Sequence, residues 1–338
     1  MTPEAPPALI ELDDLRCLFP IRKGLSDIMR GRSHNVHAVD AVSFRMDRGE
    51  IVALVGESGC GKSTIGRMLV KLQSPTGGRI VFDGEDVSDI GGDELKAFRR
   101  RAQIIFQNPF EAFDPRLTIG SSLTQALRIH NIGTREEREA RIVEVMERSG
   151  LKPAHDFLAR YPHELSGGQS QRIATVRAML LAPDFLVADE PVSMLDVSVR
   201  ADILNQLLDL RDQDGMAIVF ITHDLSVARY IADRIAVMYL GMFVEVGPAE
   251  EIIANPRHPY SQALLSNTLP VGDEDRPGEP IAIGGEVPTP VDLKPGCRFA
   301  GRCPYVFDRC HVETPELRPR GGVTDVACHL YEEREGST

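Results

Sequence analysis

A run of five apolar residues, Ile51–Val55, passes straight into Gly56-Glu57-Ser58-Gly59-Cys60-Gly61-Lys62-Ser63-Thr64, and a helix-period stretch, 65–72, follows. Strand, glycine-rich turn, Lys-Ser and helix in that order restrict the fold more than any other feature of the chain. The glycines let successive backbone N–H groups turn toward one point, and the helix N-terminus adds its dipole, so the turn is built to hold phosphate. In such a loop Lys62 is the point charge for β- and γ-phosphates, and Ser63 offers its hydroxyl to Mg²⁺. A glycine-rich turn that matches by chance is the bland alternative, and the flanking strand and helix argue against it.

Further apolar runs at 104–106, 185–188, 217–221 and 235–239 alternate with helix-period stretches from about 50 to 246, the pattern of a parallel α/β sheet. Residues 119–179, with the charged segment 134–148, carry few strand signals and read as a helical subdomain inserted into that sheet. Ahead of the core, 10–15 and 41–46 alternate like strands of a small antiparallel sheet. The run Phe185-Leu186-Val187-Ala188-Asp189-Glu190 ends a buried strand on two carboxylates. Asp189 is expected to position the metal and Glu190 to polarise an attacking water. A solvated strand end is the competing reading, and the phosphate loop in the same sheet weighs against it.

At 338 residues the chain is long for one compact domain. Its net charge of −12, from 38 basic and 50 acidic residues, disfavours a nucleic-acid partner. No apolar run approaches the roughly 20 residues of a membrane-spanning helix, so membrane association is expected to go through partners. Residues 1–14 show neither a basic start nor an apolar h-region, which places the chain in the cytoplasm. There its six cysteines are not expected to form structural disulfides. Between 270 and 295 prolines, glycines and acidic residues dominate, and this stretch reads as a linker into a small cysteine-bearing region.

The segment Leu165-Ser166-Gly167-Gly168-Gln169 opens another helical run, 170–180. With it the chain resembles the ABC ATPase family over residues 9–330. The resemblance implies an ABC-type P-loop NTPase: a RecA-like α/β core sheet, an antiparallel β subdomain and an inserted helical subdomain (about 115–182) within 9–265. A small cysteine-rich C-terminal module is expected over 266–338. It also implies ATP hydrolysis at sites shared by two subunits, with Leu165–Gln169 of one acting on the ATP held by the other. Ser166 and the two bare glycines at a helix start suit close approach to a γ-phosphate. By the same resemblance Gln107 touches Mg²⁺ and the attacking water, His223 contacts the γ-phosphate, Asp196 crosses the dimer interface and Phe19 stacks on adenine. Position 170 is Ser where a basic residue is usual, and position 194 is Met where Ala is commoner. Neither change removes a catalytic group.

Phe19–Gly24 with the insertion that follows to Val36, Gln107–Phe110, Asp189–Ser193, Asp196–Arg200 and Asn255–Tyr260 resemble the oligopeptide/dipeptide importer branch, and its F-type ATPase in particular. The partners implied are a second ATPase subunit (a D-type paralogue or a second copy), two membrane permeases and an extracytoplasmic solute-binding protein, with this chain peripheral on the cytoplasmic face of the inner membrane. A soluble, non-transport ABC ATPase is the alternative. Cys297, Cys303, Cys310 and Cys328 fall where relatives of this branch carry a 4Fe–4S cluster. Four thiolates also suit zinc, and free thiols are the third reading. His311 and His329 are taken as bystanders, and Arg99–Arg101 as a solvated helix face.

Overall fold

Alternation of buried and exposed residues sets the first two strands, β1 (Ile10–Pro20) and β2 (Asn35–Met46), which pair antiparallel with Ile10 opposite Met46 and Phe19 opposite Val36. The computed structural model describes residues 8–21, 34–268, 284–285, 287–320 and 322–331, with the backbone alone at 197–198 and 267–268. Most of the expected insertion before Val36, and most of the expected linker after 270, lie outside the described residues.

β3 (Ile51–Val55) is buried at every position and feeds α1 (Lys62–Leu69). β4 (Gly77–Phe82) returns beside β1, and β5 (Glu85–Asp86) completes an antiparallel sheet of order β2-β1-β4-β5. α2 (Gly92–Arg101) leads into β6 (Ala102–Ile105). Four helices follow with no strand between them: α3 (Ile119–Ile129), α4 (Arg135–Arg148), α5 (His155–Leu158) and α6 (Gly167–Met179). Their helical spacing gathers Leu123, Leu127, Ile142, Met146 and Ile173 into one cluster apart from the sheet's own core. Thr134 and Glu137 form a reciprocal capping box that starts α4.

Strands and helices then alternate: β7 (Phe185–Asp189), α7 (Val197–Asp214), β8 (Ala217–Thr222), α8 (Leu225–Ile231) and β9 (Arg234–Tyr239). Both faces of this sheet are covered, so its strands are continuously apolar. In β8, Val219 and Ile221 pack with Ile65 and Met68 of α1, while Ile218 and Phe220 pack with Ile203 and Leu207 of α7. Fully burying one such side chain contributes about 1.5–3 kcal/mol.

The main sheet differs from the expected parallel one. Strands β6, β7, β8, β3 and β9 are parallel, but β10 (Met242–Pro248) runs antiparallel to β9. Only a tight turn at Leu240 and Gly241 separates the two, and a connection that short can join strands only in antiparallel fashion. After α9 (Ala249–Ala254) and α10 (Pro259–Thr268) the chain comes back to this edge, where β11 (Arg318–Pro319) and β12 (Asp325–Val326) add to β10. The full order is β11-β12-β10-β9-β3-β8-β7-β6.

The C-terminal segment is therefore not a self-contained cysteine module. Phe299 is 1% exposed and shares a cluster with Tyr239, Tyr260 and Leu265, against which Cys297 and Cys303 also pack. The segment takes its order from the core of the preceding domain.

Candidate nucleotide site

Between β3 and α1 the loop lies so close to neighbouring backbone that two of its glycines admit no side chain. A Cβ on Gly56 would sit 2.2 Å from the Met238 carbonyl oxygen; on Gly61, at φ 112°, it would sit 2.1 Å from that of Ala38. Lys62 is buried, its Nζ donating to the carbonyls of Gly56 (2.7 Å) and Glu57 (3.0 Å). Ser63 Oγ donates to Asp189 Oδ1 at 2.9 Å, linking the start of α1 to the end of β7. Burial pushes the Asp189 carboxyl above its ordinary range, which leaves its ionised form in want of a cation. The Ser63 hydroxyl, the Asp189 carboxylate and the Gln107 amide are hard oxygen donors, a set that fits Mg²⁺.

Glu190 follows β7 in a left-handed conformation (φ 45°), held by its N–H to the Ile221 carbonyl at 3.0 Å. That strained bend turns its carboxylate into the cleft. Gln107 Nε2 donates to Glu190 Oε2 at 2.9 Å, and His223 Nδ1 lies 3.2 Å from Oε1. Both carboxylate oxygens are thus engaged by side chains from the ends of two other strands. Loop residues 56–59 and 61–64, with Gln107, Glu190 and His223, line one cleft of about 840 Å³.

Other expected site residues stand elsewhere. Cys60 is buried beneath the loop, where burial raises its thiol. Phe19 is 38% exposed and does not line the cleft, although Val36, opposite it in the β1–β2 pair, does. Of the signature segment, Leu165 is buried, Ser166 and Gly167 are exposed, and Gly168 and Gln169 are half-buried. Ser166 caps α6: its Oγ accepts from the Gln169 N–H at 3.3 Å, and its own N–H donates to Gln169 Oε1 at 3.1 Å. Asp196, at the start of α7, is also exposed. None of these lines the cleft.

The expectation of a metal held by Cys297, Cys303, Cys310 and Cys328 is not supported. Among the described residues no group of three or more His, Cys, Asp or Glu side chains is placed to hold a metal ion. The four are free thiols. Burial pushes the Cys297 thiol up to about 11 and the Cys328 thiol up to about 12.

Several cleft residues carry no local signal in the sequence. Val287, Pro288, Thr289 and Pro290 form one wall, and Leu264 adds to it. Arg302 and Tyr260 reach the loop at Glu57.

Residues 39–193 match the ABC transporter family, and residues 244–310 match the oligopeptide/dipeptide transporter C-terminal region. The chain is 44% identical over 336 residues to the oligopeptide transport ATP-binding protein AppF of Bacillus subtilis (strain 168), covering 98% of this chain and 100% of that one. It is 45% identical over 327 residues to the dipeptide transport ATP-binding protein DppF of Escherichia coli (strain K12), covering 97% and 96%. A solved dimeric ATP-binding cassette, in a post-hydrolysis state with ADP and Pi, superposes with a TM-score of 0.63 at 28% identity, covering 71% of this chain and 98% of that one.

Proposed function

Because the chain belongs to the ABC transporter family, among its oligopeptide/dipeptide ATP-binding proteins, and is an ATPase, we propose that it drives import of peptides across a membrane that it does not itself cross. No helix among the described residues is long and apolar enough to span one. The chain works on the cytoplasmic face as one of two ATPase subunits, the other a D-type paralogue or a second copy. The pair acts beneath two permeases fed by an extracytoplasmic binding protein. Relatives named as peptide and dipeptide ATP-binding proteins support this reading over a soluble, non-transport ATPase.

The observation that carries the chemistry is the Gln107–Glu190–His223 cluster facing the phosphate loop across one cleft. Lys62 exchanges its contacts with the Gly56 and Glu57 carbonyls for β- and γ-phosphate oxygens. Ser63, Asp189 and Gln107 would hold Mg²⁺, which when bound would neutralise charge on the phosphate oxygens. Glu190 orients and polarises the attacking water. His223, mostly exposed at the mouth, meets the γ-phosphate, while Phe19 stacks on the adenine. Ser166–Gln169 and Asp196 serve the partner's nucleotide, in keeping with their position outside this chain's cleft. Glu190→Gln keeps the shape and removes the base. ATP binding is expected to survive while turnover of the assembled transporter falls about 1,000-fold. Turnover near that of the wild type would reject Glu190 as the base.

A further inference from the structure

Glu57 is the sole acidic residue of the phosphate loop, 56–64, and it lines the cleft. A bare carboxylate there repels a polyphosphate. Its charge is met from far along the chain: Arg302 Nη1 donates to Glu57 Oε2 at 2.7 Å and Nη2 to Oε1 at 3.1 Å. This is the two-pronged geometry that makes guanidinium–carboxylate pairs strong and well oriented. The Arg302 side chain is only 9% exposed, and its guanidinium also stands 5.9 Å from the centre of the Tyr239 ring.

Glu57 is fixed at its backbone as well. Its N–H donates to Tyr260 Oη at 2.8 Å. Tyr260 is fully buried, its ring 4.7 Å from that of Tyr239 and 5.4 Å from that of Phe299. The Tyr260 N–H donates to His258 Nδ1 at 3.0 Å, and the buried Glu245 carboxylate accepts the N–H groups of Arg257 (2.8 Å) and His258 (3.0 Å). His258–Tyr260 thus forms a buried post behind Glu57. Above the same cleft, Val287–Pro290 is tied to β2 by the His37 N–H, which donates to the Pro290 carbonyl at 2.8 Å.

We propose that the C-terminal segment is a working part of the nucleotide site. Arg302 neutralises the phosphate loop's own carboxylate and, with Tyr260, holds Glu57 in place, so that incoming phosphates meet backbone amides and Lys62. Arg302 and Tyr260 are positioning residues that act through Glu57. The inference rests on reading 56–64 as the phosphate site.

Calorimetric titration of the full chain with Mg-ATP tests it. Arg302→Met is expected to weaken binding about 10-fold, and more at low salt, because Glu57 is left uncompensated. Adding Glu57→Gln to Arg302→Met removes the stranded charge and is expected to return affinity to within about 3-fold of wild type. Tyr260→Phe keeps the buried ring and loses only the hydroxyl, and an effect of about 3-fold is expected. Wild-type affinity in Arg302→Met, or a double variant no tighter than Arg302→Met, overturns the proposal. Should Arg302→Met not fold, Arg302→Gln carries the comparison: it keeps a long polar side chain without the charge, and a loss in it that Glu57→Gln does not relieve is equally fatal. Lys62→Ala serves as the reference. If it binds ATP as well as wild type, the reading of the loop fails, and not merely the role of Arg302.

Discussion

The cleft and the signature segment have opposite habits. In the cleft the polar side chains pair across elements: Ser63 with Asp189, and Gln107 and His223 with Glu190. Among the described residues the Ser166 and Gln169 side chains bond only to the segment's own backbone, in the Ser166–Gln169 capping box, and Ser166 and Gly167 face solvent. The cleft is assembled by long-range folding of this chain. The signature is shaped by local sequence, and under the proposed function it serves a nucleotide held by the partner subunit. A damaged cleft should therefore fail within its own subunit, and a damaged signature only in the assembly.

The sharpest way to break that contrast is Gly61→Ala. The new Cβ meets the Ala38 carbonyl, and the φ of 112° is strained for alanine. A loop displaced by about 1 Å costs both affinity and turnover, so kcat/KM for ATP should drop roughly 1,000-fold. Steady-state kinetics on the assembled transporter measures this. Ser166→Arg is the counterpart and comes next in size. It should leave ATP affinity of the isolated chain within about 2-fold of wild type and cut turnover of the assembly about 100-fold. Weakened binding in the isolated chain would mean that the two regions are not separate.

The smallest effect sharpens the view of the cleft as a place where function strains the fold. The Asp189 carboxyl is raised by burial, so its contribution to stability is full below its unfolded value and lost as pH rises through the folded one. At neutral pH the ionised group is a cost that Mg²⁺ and nucleotide relieve. Asp189→Asn is expected to raise the nucleotide-free melting temperature at pH 7 by about 2 °C. The gain should shrink as pH is lowered into the carboxylate range, which a series of thermal melts would show.

What the sequence displayed and what it hid divide along the same line. β3, β7, β8 and β9 are unbroken apolar runs, and the structure places strands on them within a residue at either end. β4, which opens on two glycines, and β10, set off from β9 only by Leu240 and Gly241, carry no boundary or period that would declare them. The loop, the acid pair and the signature are contiguous, so their residue types declare them. Arg302 and Tyr260 stand 245 and 203 residues from Glu57, and no local spacing encodes such contacts. Phe299 is hidden for the same reason: it packs with Tyr239, Tyr260 and Leu265 in a core that no pattern around residue 299 declares.

The 245-residue separation of Glu57 from Arg302 also gives the site a history. A ribosome working at about 5–20 residues per second delivers the phosphate loop about 10–50 s before the arginine that neutralises it. Until then Glu57, which lines the cleft, lacks the partner for its carboxylate. Arrival of the last stretch of chain then completes the main sheet's edge and the charge balance of the cleft together, so readiness for ATP marks a subunit whose synthesis has run past Arg302.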